Sequence, residues 1–473
     1  MDTIIFKEQI KAGAYDRKFL ALYPGEMLEE QHARYVAAIE AFEEHFGPGE
    51  IFLCSAPGRT EISGNHTDHQ HGEVLAAAIH LDALAVVRKT ECERIRIISE
   101  GYPQIEIAIQ NLKKGIGVKE VSSEDEFVVV TPDPAQFGTT KALVQGIIAG
   151  FEKRGLAVTG FDAYITGDVP VGSGLSSSAS LEILLGGILN SGREEKELTP
   201  VELAQIGQYA ENVYFGKPCG LMDQMACAVG NAVHIDFGNP ENPIVEQVEL
   251  PLAKEGYCLC ITDTKGSHAD LTSEYAAIVQ EMKAVAAYFG KEFLGEVQEK
   301  DVMNNLSALR EQCGDRSVLR ALHFYRENAR VREESDALKK GDLLHFLTLV
   351  QESGDSSYKY LQNIYAPANP QEQNLALALQ ISEICLKKLG RAEGKATQEG
   401  SLCTPETGRG ETGTGAEFAV RVHGGGFAGT IQAFVKQAQC EAYRKQMNTV
   451  FGENSCKILR VRPCGFDILD NLT

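Results

Sequence analysis

Residues 167–182, GDVPVGSGLSSSASLE, combine glycines and serines at a point where a strand pattern gives way to a helical pattern. The first backbone N–H groups of a helix have no partner inside the helix, and together with the helix dipole they attract an anion. Glycine permits the backbone to approach that anion closely. The segment therefore favours a phosphate-binding loop, and a helix capped by one of the serines is the alternative. It is not a Walker A loop, because the Gly-Lys-Ser/Thr ending is missing.

A second polar segment, PGRTEISGNHTDHQHG at residues 57–72, follows a short apolar strand pattern at residues 51–56. Its polar groups are those of Arg59, Glu61, Asn65, His66, Asp68, His69 and His71. So dense a set is unusual for a plain solvated turn. It is compatible with a metal site built from the three histidines and Asp68, or with a loop that binds the hydroxyl groups of a polyol.

Asp223 lies just past a Pro-Cys-Gly turn in the segment ENVYFGKPCGLMDQM, residues 211–225, and its neighbours are apolar. A buried carboxylate is costly unless a cation pairs with it. Asp223 therefore needs a cationic partner or a chemical role, whereas a lone Asp at a helix N-terminus is more often a cap.

A glycine cluster, VHGGGFAG at residues 422–429, lies between two strand patterns near the C-terminus. Three consecutive glycines allow a ligand or another part of the backbone to come very close. A plain tight turn is the alternative.

Strand and helix patterns that alternate irregularly must position these four segments. Helical spacing is found at 24–46, 177–191, 201–214, much of 271–389 and 438–449, and strand patterns at 51–56, 83–88, 95–98, 105–109, 161–166, 232–237, 257–262, 418–423 and 430–435. This irregular order indicates an α+β fold rather than a doubly wound sheet. We expect a domain boundary near residue 235, and a flexible surface insertion in the Gly-, Thr- and Glu-rich stretch 393–417.

The chain has 473 residues, and its 45 Lys and Arg against 66 Asp and Glu give a formal net charge of −21. Such a length predicts about two or three domains. The charge disfavours nucleic acid and anionic membrane surfaces as partners. Twelve cysteines without a CxxC pair, and an N-terminus without a signal-peptide pattern, predict reduced thiols in the cytoplasm. No pattern indicates the oligomeric state.

Taken in order, the four segments resemble the motifs of the galactokinase family in the GHMP kinase superfamily. GRTEISGNHTDHQHGEVL is similar to the family's sugar-loop motif GRxNLIGEHTDYNxGxVLP, and PVGSGLSSSASLE to its phosphate loop PxxxGLSSSAxLE. AENVYFGKPCGLMDQ is similar to AExxFVGxPCGIMDQ, and RVHGGGFAG to RxTGAGFGG. The resemblance runs from about Ile51 to the C-terminal strand. It implies a two-domain α+β GHMP kinase fold with mixed sheets and an active site in the cleft between residues 1–235 and 236–473.

The resemblance also implies transfer of the γ-phosphoryl group of ATP to the anomeric hydroxyl of galactose. Asp223 would be the catalytic carboxylate facing that hydroxyl, and Arg59 the cation that holds it ionised. The positions that match the family's sugar contacts are Asn65, His66, Asp68, Gly220 and Tyr275. Those that match the ATP-binding loop are Gly172, Ser173, Gly174, Ser176, Ser177 and Ser178. Mg²⁺ would be held by Ser178 and Glu211, a hydroxyl and a carboxylate that suit this cation.

The chain departs from the family motifs mainly on the sugar side. Asn65 replaces a Glu that accepts a sugar hydroxyl, His69 and Gln70 replace Tyr-Asn, His423 replaces Thr, and Ala428 replaces Gly. A related sugar, such as N-acetylgalactosamine or a pentose, is therefore an alternative substrate. A sensor that binds sugar and ATP without turnover is the alternative from another class, although the catalytic residues of the motifs are all present.

Overall fold

The structure is a computed structural model that describes residues 1–109, 132–170, 172, 174–193, 197–217, 219–266, 271–398 and 417–469. Ser173 of the expected phosphate loop lies outside the described residues, as do residues 399–416 of the expected insertion at 393–417.

The described strands form a larger and a smaller β-sheet. They are β1 (Phe52–Ser63), β2 (Glu73–Thr90), β3 (Arg94–Ser99), β4 (Ile105–Ala108), β5 (Gly160–Gly167), β6 (Ala232–Asp236), β7 (Ile244–Val248), β8 (Tyr257–Asp263), β9 (Ala419–His423), β10 (Thr430–Lys436), β11 (Cys456–Leu459) and β12 (Asp467–Ile468). The larger sheet has the order β12-β1-β2-β5-β3-β4, and β6 and β7 extend it from β2. Its β3–β5 pair is parallel. The smaller sheet, β11-β8-β10-β9, is antiparallel.

Helices cover both sheets. The described α-helices are α1 (Thr3–Lys11), α2 (Asp16–Leu22), α3 (Leu28–Phe46), α4 (Thr140–Lys153), α5 (Ser177–Asn190), α6 (Pro200–Tyr209), α7 (Met222–Val229), α8 (Thr272–Tyr288), α9 (Glu299–Asn304), α10 (Leu306–Cys313), α11 (Asp315–Lys339), α12 (Leu343–Ser356), α13 (Asn374–Gln398) and α14 (Gln437–Phe451). One mixed sheet, one antiparallel sheet and these helices confirm the predicted α+β class.

Alternate residues of β1 and β2 face two separate hydrophobic cores. Cys54, Ala85 and Val87 belong to the core that α4–α7 cover, whereas Leu53 and Val86 belong to the core that α1–α3 cover. Successive side chains of a strand point to opposite faces of a sheet. The larger sheet is therefore buried on both faces, and its strands give the site a rigid support.

The strand predicted at residues 51–56 was too short. β1 continues to Ser63, so the loop predicted to begin at residue 57 begins only at Gly64. The polar residues of this stretch are held in the sheet because they pair with alanines of β2, Arg59 with Ala78 and Glu61 with Ala76. Strand pairing fixes the direction of both polar side chains, which a loop would leave free.

The helix predicted at 201–214 also differs from the structure. The α-helix ends at Tyr209, and a π-helical turn continues from Ala210 to Phe215. Such wide turns occur often at functional sites, because they re-aim side chains within a helix. Here the turn contains Glu211, which is buried.

The division of the chain near residue 235 stays a prediction. β7, at Ile244–Val248, still belongs to the larger sheet, and the C-terminal β12 returns to pair with β1. The smaller sheet and helices α8–α14 follow β7 in the chain.

Candidate active site

Arg59 and Asp223 form an ion pair between β1 and the first turn of α7. Nε of Arg59 donates a hydrogen bond of 2.7 Å to Oδ1 of Asp223, and Nη2 lies 2.7 Å from the same oxygen. Burial raises the pKa of Asp223, but the charge of Arg59 and the hydrogen bonds from Arg59 and Ser176 outweigh burial and lower this pKa. The Asp223 side chain keeps 31% of its surface exposed. The structure thus brings together two motif residues 164 positions apart, with an ionised carboxylate that a substrate can reach.

Ser176 joins the start of α5 to this ion pair. It has φ +58° at the N-cap position, and its side chain makes no capping hydrogen bond to the helix. Its hydroxyl donates instead to Oδ2 of Asp223 at 2.5 Å. Arg59 donates from Nη1 to the carbonyl of Gly174. The helix N-terminus therefore receives no side-chain cap from Ser176, as an anion-binding N-terminus requires.

The other residues of the expected phosphate loop surround this helix start. Gly172 and Gly174 are exposed and have φ of +75° and +73°, a backbone region that favours glycine. Ser177 and Ser178 are half-buried in the first turn of α5. Ser176 connects this helix start to Asp223, and the backbone at both glycines is exposed.

Glu211 lies in a buried cluster of oxygen atoms. Lys217 Nζ lies 2.9 Å from its Oε1, and Gln224 Nε2 donates to its Oε2 at 2.8 Å and to Oε2 of Glu182 at 2.9 Å. Burial and the charge of Glu211 raise the pKa of Glu182 well above its usual range. Within the described ranges, Oε1 of Glu182 and Oε1 of Gln224 are buried without a hydrogen-bond partner. These oxygen atoms, with Glu182 on the helix that also carries Ser178, are of the kind that a hard divalent cation prefers.

Asp68 of the sugar loop lies against Gly220. A Cβ atom at Gly220 would be 2.0 Å from Oδ2 of Asp68, so no other residue fits there without a shift. Burial, the largest cause, and the nearby charge of Asp223 raise the pKa of Asp68 to about 6. The sugar loop thus contacts the segment that carries Asp223.

The histidines of the sugar loop form a chain of hydrogen bonds. Gln70 Nε2 lies 3.2 Å from Nδ1 of His69, His69 Nε2 lies 3.4 Å from Nδ1 of His66, and His66 Nε2 lies 2.9 Å from the carbonyl oxygen of Gly425. An amide N–H can only donate and a carbonyl can only accept, so both rings are neutral with defined tautomers. Burial lowers the pKa of His66, and that of His69 to about 3. These engaged nitrogens do not support the metal-site interpretation, and the described residues contain no cluster of three or more metal-ligating side chains.

The glycine cluster packs closely on two other segments, as a plain turn would not. A Cβ atom at Gly425 would lie 2.7 Å from Cε1 of Tyr275, and one at Gly426 would lie 2.1 Å from the carbonyl oxygen of Asn363. The hydroxyl of Tyr275 donates to the carbonyl of Gly426 at 2.8 Å. The cluster therefore fixes the positions of Tyr275 and His66, two of the expected sugar contacts.

Asn65 is 1% exposed, and its amide is bonded on every side. Nδ2 donates to Oε1 of Glu61 at 2.8 Å and to the carbonyl of Gly424 at 2.7 Å. Oδ1 accepts a hydrogen bond of 2.6 Å from Nδ2 of Asn363. The amide of Asn65 therefore has no group left for a ligand.

His423 and Asn363 have structural roles that sequence reasoning did not assign. His423 Nε2 lies 3.1 Å from Oγ1 of Thr60, and its Nδ1 lies 2.9 Å from Oγ1 of Thr430. Burial and the charge of Arg59 hold the pKa of His423 well below its usual value, so the ring is neutral. The family motif has Thr at position 423, so the sequence alone singled out His423, whereas no motif pointed to Asn363.

Comparisons with known proteins agree with this architecture. Residues 142–231 match the model of the GHMP kinases N terminal domain, and residues 40–89 match the galactokinase galactose-binding signature. A galactokinase of Limosilactobacillus reuteri (strain DSM 20016) is 29% identical over 416 residues, and one of Glaesserella parasuis serovar 5 (strain SH0165) is 28% identical over 405. Both alignments cover 85% of this chain and 90% of the relative. The crystal structure of Lactococcus lactis galactokinase complexed with galactose has a TM-score of 0.69 at 24% identity, covering 92% of this chain and 99% of that chain.

The chain is therefore similar to GHMP kinases in its fold and over residues 142–231. Residues 40–89 match the galactokinase galactose-binding signature, and the predicted resemblance to the galactokinase family is confirmed. Among the described helices, none combines the length and apolar character needed to cross a bilayer.

Proposed function

We propose that this protein is an ATP-dependent sugar-1-kinase that transfers the γ-phosphoryl group to the anomeric hydroxyl of galactose. The observation that carries the proposal is the arrangement of Arg59, Asp223 and Ser176 at the start of α5. It places an ionised carboxylate, a permanent cation and free helix N–H groups at one point. The matches to galactokinases support a sugar as the acceptor.

Asp223 would face the anomeric hydroxyl. Its lowered pKa keeps it ionised at neutral pH, so it can orient the hydroxyl and accept its proton as the bond to phosphorus forms. The loose transition state of phosphoryl transfer makes orientation alone a sizeable contribution. Arg59 would stabilise the charge on the transferring group, since its guanidinium remains protonated beside Asp223.

ATP would bind with its phosphates at the N-terminus of α5, in contact with Gly172, Ser173, Gly174, Ser176, Ser177 and Ser178. We propose Ser178 and Glu211 as the residues that hold Mg²⁺, because the oxygen-rich cluster of Glu211, Glu182 and Gln224 suits a hard cation. When bound, Mg²⁺ would neutralise charge on the phosphate oxygens. Lys217, with 62% of its side chain exposed, can move away from Glu211 at little cost.

The sugar would lie between Asp68, Gly220, Tyr275 and His66. Asp68 and Tyr275 offer hydrogen-bonding groups, while Gly220 leaves room for the carboxylate of Asp68. The saturated amide of Asn65 favours one alternative, a related acceptor such as N-acetylgalactosamine or a pentose. We further propose the cytoplasm as the compartment, which the free thiols of the described cysteines support.

The proposal is tested by measuring ADP release from ATP with galactose, N-acetylgalactosamine, glucose and arabinose. We expect the highest kcat/KM with galactose, and no sugar-dependent ADP release from Asp223→Ala. ATP should still raise the melting temperature of that variant, because a ligand bound by the native state stabilises it. A folded wild-type protein that consumes no ATP with any of these sugars would overturn the proposal.

A further inference from the structure

The neighbouring side chains of Glu61 and Asn65 differ in how many of their hydrogen-bonding groups lack a partner within the protein. Both N–H groups of the Asn65 amide are donated within the protein, and its oxygen accepts from Asn363. A hydroxyl could bind Asn65 only if one of these buried bonds broke, at the cost of an unpaired polar group. Asn65 is therefore a poor partner for a sugar in spite of its position in the motif.

Glu61 has one free carboxylate oxygen. Oε1 accepts from Nδ2 of Asn65 at 2.8 Å and from Nη2 of Arg421 at 3.3 Å. Oε2 hydrogen-bonds to none of the residues that the structure describes. Glu61 is only 4% exposed, but its Oε2 is not fully buried, so a donor group of a ligand can reach this oxygen.

The free oxygen belongs to a side chain at the centre of the site. Glu61 follows Arg59 by two residues on β1. Burial raises the pKa of Glu61, and the charges of Arg421 and Arg59 and the hydrogen bond from Asn65 oppose this shift. The backbone N–H of Glu61 also lies 3.3 Å from Nε2 of His423. Glu61 thus lies between the catalytic ion pair and the sugar loop, where a sugar hydroxyl would supply the missing donor.

We propose that Glu61 is the carboxylate that accepts a sugar hydroxyl in this chain, and that Asn65 is the residue that positions it. The family motif GRxNLIGEHTD has Asn at position 61 and Glu at position 65, whereas GRTEISGNHTD has the two exchanged. In this chain the amide of Asn65 and the carboxylate of Glu61 are in hydrogen-bond contact, and the exchange moves the negative charge by four positions. This inference rests on the proposed function, because the hydroxyl in question belongs to the acceptor sugar.

The first test is Glu61→Gln, which keeps the shape and removes the charge. We expect the KM for galactose to rise about 10- to 100-fold, as the loss of a hydrogen bond to a charged group predicts, with the KM for ATP unchanged. The matched control is Glu334→Gln. Glu334 is also buried and accepts from Ser63 at 2.7 Å, but burial raises its pKa to about 8, so it is already protonated at neutral pH. The control should leave both KM values unchanged.

The second test restores the family order. Asn65→Glu alone places two carboxylates within hydrogen-bond distance, and Glu61→Asn alone leaves the pair without a carboxylate, so both should lose sugar affinity. The double variant E61N/N65E should recover a galactose KM close to that of the wild type, a coupling that independent positions would not give. If Glu61→Gln folds poorly, the galactose KM of the double variant still tests the role of Glu61.

The outcomes separate this inference from the proposed function. Wild-type protein that phosphorylates no sugar overturns the function and the inference together. Wild-type protein that phosphorylates galactose, with the same galactose KM in Glu61→Gln, overturns the inference alone. A double variant no better than either single variant also contradicts it.

Discussion

The proposed phosphate side and the proposed sugar side of the site are built in different ways. On the phosphate side, residues 167–182 match the family motif closely, and the site depends on the backbone at the start of α5 together with one ion pair. On the sugar side, the motif positions 61, 65, 69, 70 and 423 all carry other residues. The side chains there are connected by hydrogen bonds, one buried between Glu61 and Asn65 and two partly buried along His66, His69 and Gln70.

This difference follows from what each side must recognise. A phosphate chain can be bound by backbone N–H groups and a helix dipole. Such a site depends on the path of the backbone and requires few particular side chains. A sugar is distinguished by the positions of its hydroxyls, and side chains read those positions. We therefore expect substitutions on the phosphate side to reduce kcat, and substitutions on the sugar side to raise the KM for the sugar.

The largest effect is expected for Asp223→Asn, which keeps the shape of the residue and removes its charge. Loss of a catalytic carboxylate should lower kcat by about 10²- to 10⁴-fold, without a matching rise in either KM. Steady-state kinetics with galactose and ATP measure this. A kcat within about threefold of the wild type would remove Asp223 from the mechanism.

Arg59→Lys should come next. Lysine keeps the positive charge but loses the planar group that contacts both Asp223 and the carbonyl of Gly174, so kcat should fall by about 10²-fold. The control is Arg96→Lys, whose guanidinium pairs with Asp162 through bonds of 2.7 and 2.6 Å away from the site. Equal losses in the two variants would point to a general loss of stability rather than to catalysis.

On the sugar side, Gly220→Ala should raise the KM for galactose by about 10-fold or more and leave the KM for ATP unchanged. The added methyl group would lie 2.0 Å from Oδ2 of Asp68 and must displace it. Gly25→Ala is a suitable control, because its nearest neighbour would be 3.6 Å away. A rise in the KM for ATP instead would place Gly220 on the phosphate side.

The smallest effect concerns stability. Because the pKa of Asp68 is raised to about 6, its ionised form destabilises the folded protein at neutral pH. Asp68→Asn should therefore raise the melting temperature at pH 7.5. The gain should shrink as the pH falls from about 6 to about 4, where the wild-type carboxyl becomes protonated. A melting temperature that is lower at pH 7.5 would show that the charge of Asp68 is stabilised in the fold.

Much of the architecture could be predicted from the sequence, because long periodic patterns report burial directly. The helix expected at 24–46 is confirmed by α3 and the turn before it, with Tyr35, Ile39 and Phe42 on its buried face. The end of β1 could not be predicted, because Arg59 and Glu61 are polar residues whose side chains pair with Asp223 and Arg421, far along the chain. Local patterns carry no information about such partners.

Only part of the site could be predicted from the sequence. The cost of a buried charge predicted a cationic partner or a chemical role for Asp223, and the resemblance to the galactokinase motifs implied that Arg59 is the partner. The saturation of Asn65 did not, because it depends on Gly424 and Asn363, which lie some 300 or more positions away. Spacing along the chain suggests which residues have reactive groups, but only the fold determines whether those groups are free.

The central claim is phosphoryl transfer to the anomeric oxygen, and ³¹P nuclear magnetic resonance of the product tests it most directly. After incubation with ATP, Mg²⁺ and galactose, we predict one new phosphate signal coupled to the anomeric proton, with ADP formed in equal amount. The same sample prepared with Asp223→Asn should lack this signal. A phosphate signal coupled to another sugar proton, or ADP accompanied only by inorganic phosphate, would contradict the account.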